Sequence, residues 1–247
     1  MLFAFRRRRQ PKLPVGNVRH SIPSFILSAD DDPGPPDAFL IDLGIRAIAL
    51  AATSDLDDIA ARDSLTGRYV RTWPGEHYRL LAGLVRALSP RTVVEVGTAT
   101  GASALCLLKY LPRESRLATF DVKRWEDFEG SMLSPVDFKD GRMIQHVEDV
   151  TKPEGFQRHA ALLQDADLVF VDAAKDGVME KRFFDQVLRL PRKKTAVLLF
   201  DDTRVPNMIS FWRSIARPKL DLTSFGHWSG TGLTYLEGTP PRVEPRA

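Results

Sequence analysis

The stretch Val93-Val-Glu-Val-Gly-Thr-Ala-Thr-Gly-Ala-Ser103 decides the fold. Its first half is apolar and β-branched without polar alternation, as in a parallel strand covered on both faces. Its second half is small and punctuated by Gly97 and Gly101, followed by a helical pattern. Glycines at a strand-to-helix turn let the backbone approach a ligand, and the helix start offers unpaired N–H groups. A ligand-free tight turn would use the same residues, so the loop alone leaves both readings open. Gly97-x-x-x-Gly101, with Ala99 between, also departs from the Gly-x-Gly-x-x-Gly of dinucleotide-binding folds.

Outward from this loop the pattern alternates. Strands are expected at 92–97, 116–122, 142–149, 166–173 and 195–202, with helices at 102–111, 153–164 and 178–190 between them. Residues 123–141, broken by Gly130 and Pro135, read as loop plus a short helix. This alternation predicts an α/β fold with a doubly wound, mostly parallel sheet. A helix at 207–217 then precedes strands at 220–228 and 231–236. Ser229-Gly230 between them is too short for a crossover, so an antiparallel hairpin is expected. Upstream, helices are expected at 37–62 and 75–88. The reading gives a Pro-rich tail and linker (1–36), a helical extension (37–72), a main domain (73–238) and a tail (239–247).

The 247 residues suffice for one large domain. The net charge of +3 owes much to the four arginines at 6–9, so the folded part is near neutral. A run of this kind is a solvated tail, or it binds RNA, an acidic membrane or a partner chain. The single Cys106 excludes an intramolecular disulfide and a cysteine-rich zinc site. With no long apolar run and with the charges following Met1-Leu-Phe-Ala-Phe5, unlike a secretory signal, a cytoplasmic protein that does not enter membranes is expected.

Acidic residues mark the expected strand ends. Asp121 closes Leu117-Ala-Thr-Phe-Asp121, about 20 residues beyond the glycines, where a carboxylate can accept ribose hydroxyls. Glu148-Asp149-Val150 ends the next strand, and Asp149 is either an adenine contact or a cap for the following helix. Asp172 ends the fourth strand and Asp201-Asp202 the fifth, so the three should converge. Clustered carboxylates need protons or a cation, and oxygen-only ligation selects Mg²⁺, Ca²⁺ or Mn²⁺. The duller alternatives are that Asp172 and Asp201-Asp202 are loop caps or turn residues, and Lys175 a surface lysine. His77 and His227 read as packing or hydrogen-bonding residues rather than catalysts. Trp125, Trp212 and Trp228 read as packing or as an acceptor-pocket lining.

Glu95-Val-Gly-Thr-Ala-Thr-Gly101 resembles motif I of the class I S-adenosylmethionine (SAM)-dependent methyltransferases. Val171-Asp-Ala-Ala-Lys175, Phe200-Asp-Asp-Thr203, Gly230-Thr-Gly-Leu-Thr234 and Pro74-Gly-Glu-His77 resemble segments of the cation-dependent O-methyltransferases, the catechol and caffeoyl-CoA type. The resemblance covers about 73–237. It implies a seven-stranded sheet of order 3-2-1-4-5-7-6 whose last strand is antiparallel. It implies a cofactor site of Glu95, Gly97, Thr98, Gly101, Ser103, Asp121, Val122, Asp149, Val150 and Asp172. It further implies Asp172, Asp201 and Asp202 as ligands of a divalent cation, and Lys175, beside Asp172, as the base for methyl transfer to a small hydroxylated, perhaps aromatic, acceptor. Departures are Asp202 for the usual asparagine, Ala174 for the second acid, and Val178 for a tyrosine. The alternatives are an RNA (tRNA hydroxyuridine) acceptor, an NAD-linked oxidoreductase and a non-catalytic SAM-binding protein; the helix at 37–62 could cover the site or make a homodimer contact.

Overall fold

The computed structural model describes residues 34–63 and 65–238. The arginine run, the acidic triplet at 30–32 and the tail at 239–247 lie outside the described residues.

Seven strands form one sheet: β1 (Thr92–Val96), β2 (Arg116–Asp121), β3 (Met143–Val147), β4 (Leu168–Val171), β5 (Ala196–Asp201), β6 (Lys219–Asp221) and β7 (Thr231–Leu236). Their order is β3-β2-β1-β4-β5-β7-β6, and β7 runs antiparallel to both neighbours. Helices α5 (Ala102–Lys109), α6 (Pro153–Asp165), α7 (Val178–Val187) and α8 (Pro206–Ser214) provide the crossovers. Short 3-10 turns at Trp125–Asp127 and Pro135–Phe138 occupy the expected loop.

Successive strand residues point to opposite faces, and the two faces hold two cores. Val93, Leu117, Leu168, Phe170, Val197, Leu199 and Leu233 pack on the face carrying α5 and the N-terminal helices. Val94, Phe120, Val169, Val171, Leu198 and Phe200 pack against α6, α7 and α8. The strands are apolar without alternation because helices cover both sides.

The extension is shorter in its elements than its periodicity suggests. Instead of one helix over 37–62, α1 (Ala38–Ala52) stops, and α2 (Asp57–Ala60) and α3 (Thr66–Arg71) follow. The carbonyl of Leu50 accepts from the hydroxyls of Thr53 and Ser54 and from Arg86 Nη1 at 2.7 Å. These donors satisfy the last-turn carbonyl in place of further helix. Asp37 caps α1 through Leu40 N and also accepts from Tyr235 Oη at 2.6 Å, tying the extension to β7. Leu40, Leu43 and Ala47 are fully buried in the same core as β1 and β4. Helix α4 (Tyr78–Leu88) begins three residues later than expected, so Gly75, Glu76 and His77 form a non-helical approach to it.

The hairpin also differs from the expectation. The carboxylate of Asp221 accepts from Thr223 N at 2.8 Å, turning the chain and ending β6 after three residues. The connection to β7 therefore spans residues 222–230 rather than Ser229-Gly230, and it carries His227.

Candidate active site

Strand register builds the site. Val96 is paired with Phe120 on one side and Val171 on the other, and Val171 with Phe200. The next residue on each strand is Gly97, Asp121, Asp172 or Asp201. Four chemically distinctive residues thus stand in one row at the carboxyl edge of the sheet, where open α/β sheets bind ligands.

Gly97 adopts a φ of +106°, and a Cβ there would lie 1.9 Å from the carbonyl oxygen of Asp172. No side chain fits between β1 and β4 at this level. Asp121 accepts from Ala99 N at 2.9 Å and from Lys123 N at 3.1 Å, so its carboxylate faces the glycine bend. A cavity of 510 Å³ opens beside this row. Gly97, Asp121, Val122, Asp149, Val150 and Asp172 line it, with Phe128 and Met179 adding apolar wall.

Four of the cofactor residues expected from the resemblance are not on that wall: Glu95, Thr98, Gly101 and Ser103. Glu95 is fully buried and accepts from Thr119 Oγ1 at 2.5 Å, while Thr98 and Thr119 hydroxyls lie 2.6 Å apart. Burial pushes the Glu95 carboxyl up to about 7. These groups support the bend from beneath. A Cβ on Gly101 would strike the Leu133 side chain, so its small size serves packing on the far side of the turn. Asp149 both lines the cavity and turns the chain, accepting from Thr151 N and Oγ1 through Oδ1. It does not cap α6, whose cap position is Lys152. Glu148 is engaged with Arg158 and His159.

At the β4–β5 end, Lys175 reaches back between two carboxylates. Its ammonium lies 3.2 Å from Asp172 Oδ1 and contacts Asp202. Ala174, Lys175 and Asp202 all have positive φ, a conformation costing of order 1–3 kcal/mol for each non-glycine residue. Buried Glu180 on α7 holds this strap, accepting from Lys175 N and Gly177 N at 2.8 Å each. Burial would depress the Lys175 pKa, but Asp172, Asp202 and Asp201 outweigh it and keep the ammonium charged well above the usual lysine range. So held, the ammonium places a positive charge and hydrogen-bond donors between the two carboxylates. Burial and the nearby Asp201 charge push Asp172 above the ordinary carboxylate range.

The expected set of Asp172, Asp201 and Asp202 does not gather as one ligand cluster. Among the described residues, ligand atoms converge within 4.8 Å in two groups, Asp201–Asp202–His227 and Glu76–His77–His227. His227 Nδ1 lies 3.1 Å from Asp201 Oδ2 and 3.3 Å from Asp202 Oδ1. His77 Nδ1 lies 3.5 Å from Asp201 Oδ1. Burial would raise the pKa of Asp201, but His77 and His227 outweigh it and hold the carboxyl well below its usual range. Burial would also lower His227, yet its bonds to Asp201 and Asp202 push it up to about 10.

Glu76, His77, His227 and Glu180 were not predicted site residues. His227 arrives through tertiary pairing: Gly75 bridges His227, and Trp228 N donates to Gly75 O at 3.1 Å. The Pro74-Gly-Glu-His77 similarity was the available signal for the first two; nothing local marks the others. Of the tryptophans, Trp212 is buried and Trp125 stacks on Phe138, whereas Trp228 is 73 % exposed beside His227.

Comparison with known proteins agrees with this fold. Residues 94–203 match the family described as "Methyltransferase domain". Caffeoyl-CoA O-methyltransferase 1 of Zea mays is 21% identical over 194 residues, covering 71% of this chain and 70% of its own length. The enzyme of that name from Arabidopsis thaliana is 25% identical over 144 residues, 54% of this chain and about half of the relative, 51%. Among solved structures, a methyltransferase from Geobacter sulfurreducens aligns with a TM-score of 0.54 at 21% identity, covering 82% of this chain and 98% of that one. An O-methyltransferase from Bacillus cereus, solved with S-adenosylhomocysteine (SAH), gives 0.51 at 20% identity, covering 81% and 91%. These two share the fold. No helix among the described residues is long and apolar enough to cross a membrane. Over residues 94–203 the chain carries a methyltransferase domain, built on a sheet of the class I methyltransferase strand order.

Proposed function

We propose that the chain moves the SAM methyl group to a hydroxyl of a small, aromatic acceptor bound against the Asp172–Lys175 edge. The reading rests on one observation: a cavity lined by both Asp121 and Asp172, the latter in contact with the Lys175 ammonium. Asp121 accepts the ribose hydroxyls, the apolar wall of Val122, Val150, Phe128 and Met179 holds the adenine, and Asp149 takes its amino group. The acceptor oxygen attacks the sulfonium methyl in line as the carbon–sulfur bond breaks, leaving SAH. Asp172, with its raised pKa, takes the hydroxyl proton, and the Lys175 ammonium stabilises the developing oxyanion. Exposed Trp228 offers a flat apolar rim for an aromatic ring.

A hard divalent ion on Asp172, Asp201 and Asp202, which the resemblance implies, does not fit this arrangement. Lys175 contacts both Asp172 and Asp202, and the Asp202 oxygen that faces His227 also takes the Ser229 hydroxyl. Release of SAH from SAM with a panel of catechols and phenols tests the reading. Lys175→Met is expected to lower kcat about 100-fold while leaving the SAM Kd unchanged. Methyl transfer to nitrogen or carbon only, or an unaltered kcat in that variant, would overturn it.

A further inference from the structure

We infer that Glu76, His77 and His227 form a binding site for one borderline divalent transition-metal ion of the zinc type, distinct from the Asp172–Asp201–Asp202 set. One ligand atom from each of the three lies within 4.8 Å of the others, and the His227 Nε2–Glu76 Oε2 separation is 3.5 Å. Two ligands bound about 2.1 Å from a tetrahedral ion lie roughly 3.4 Å apart. Two imidazoles and a carboxylate are a donor set for Zn²⁺, Co²⁺ or Fe²⁺ rather than for Mg²⁺ or Ca²⁺.

Two independent features point to a missing partner here. His77 is 4 % exposed, and neither of its ring nitrogens has a hydrogen-bond partner. Its Nδ1 faces Asp201 Oδ1 at 3.5 Å, an ion-pair distance, which leaves Nε2 as the ring atom with nothing opposite it. Buried polar atoms are rarely left in this state, because an unmade bond costs about 1–3 kcal/mol. The second feature is orientation. His227 turns Nδ1 toward Asp201 and Asp202, which leaves Nε2 directed at Glu76. Metal-bound histidines characteristically present their other nitrogen to a carboxylate in this way, which fixes the ring and its tautomer.

Charge supports the same conclusion. Glu76, Asp172, Asp201 and Asp202 bring four carboxylates together, and Lys175 supplies one fixed positive charge among them. Protonated imidazoles and a divalent ion are alternative ways to offset that surplus, and the ion also satisfies one of the two His77 nitrogens. Held here, it would fasten the approach to α4 onto the β6–β7 connection, beside the Gly75–His227 bridge. It would clamp the acceptor side of the cleft from beneath.

The inference goes beyond the methyl-transfer reading and can fail without it. The test uses the full chain, stripped of metal by chelation and titrated with Co²⁺ and then Zn²⁺. Expected are one equivalent of Co²⁺, a visible absorption band from nitrogen ligation, displacement by Zn²⁺ and not by Mg²⁺, and a higher Tm with Zn²⁺. His77→Gln, Glu76→Gln and His227→Gln should each weaken Co²⁺ binding by at least about 100-fold, whereas Asp172→Asn should leave it in place. Circular dichroism and a cooperative thermal transition verify that each variant is folded. Absence of stoichiometric Co²⁺ or Zn²⁺ binding by the wild type refutes the site. So does binding lost in Asp172→Asn but kept in His77→Gln, which would locate the ion on the carboxylate set. Lost SAH binding in the wild type would instead overturn the methyl-transfer reading.

Discussion

Replacing Asp121 by asparagine tests whether the row of strand tips is the SAM site. Each carboxylate oxygen already accepts one backbone amide, from Ala99 at 2.9 Å and from Lys123 at 3.1 Å. One lone pair per oxygen remains, which matches a vicinal diol. Asparagine keeps the shape but has one acceptor oxygen and no charge. Its NH₂ group must then face either a backbone N–H or a ribose hydroxyl. A hydrogen bond to a charged group contributes about 1.5–3 kcal/mol, so Asp121→Asn should weaken binding by about 2–3 kcal/mol. That corresponds to a Kd about 30- to 150-fold higher. Calorimetric titration with SAH measures it directly. The variant also loses one anchor of the bend, so its Tm should fall by a few degrees, an effect separable by titrating well below the transition. An SAH Kd within about threefold of wild type, in a folded variant, would falsify the ribose assignment.

Gly97→Ala should abolish SAH binding and lower stability by more than about 2 kcal/mol, because its Cβ would sit 1.9 Å from the Asp172 carbonyl oxygen at a φ of +106°. Denaturant unfolding checks this, and a wild-type midpoint would show that β1 and β4 are not packed as described. Glu95 binds its proton more tightly folded, at about 7, than at its usual 4.5. The native state therefore carries the extra proton between these values, and stability falls as pH rises from below 4.5 through about 7. Glu95→Gln removes the charge, so it should match wild type near pH 4 and exceed it by about 3 kcal/mol at pH 8. The same difference at both pH values would mean that the carboxyl is charged throughout. Glu180→Ala frees the strained Ala174–Lys175 strap and should lower kcat with little change in the SAM Kd; an equal loss in both would place Glu180 in cofactor binding instead.

Local pattern sufficed for much of the architecture. Gly97 to Ser103, the unalternating strands and the acids at strand ends are properties of adjacent residues, and adjacent residues set period and turn chemistry. The carboxyl edge followed from them, since parallel strands in register bring their last residues into one row. The end of α1 was less legible, because Arg86, 36 positions from Leu50, supplies part of the cap. The width of the hairpin connection was missed because a two-residue gap of turn-forming residues outweighed the chain-turning carboxylate of Asp221.

The sequence alone determined the class of the sheet, the position of the glycine bend and the carboxylates at its edge, because each depends on neighbours a few positions apart. Only the tertiary structure decided which groups those carboxylates face. Lys175 folds back through a left-handed strap, and His227 reaches Asp201 because Gly75 bridges its loop, 152 positions along the chain. Electrostatic partners are set by distance in space, falling off over a few ångströms. No spacing along the chain encodes that distance when the partners sit on different elements.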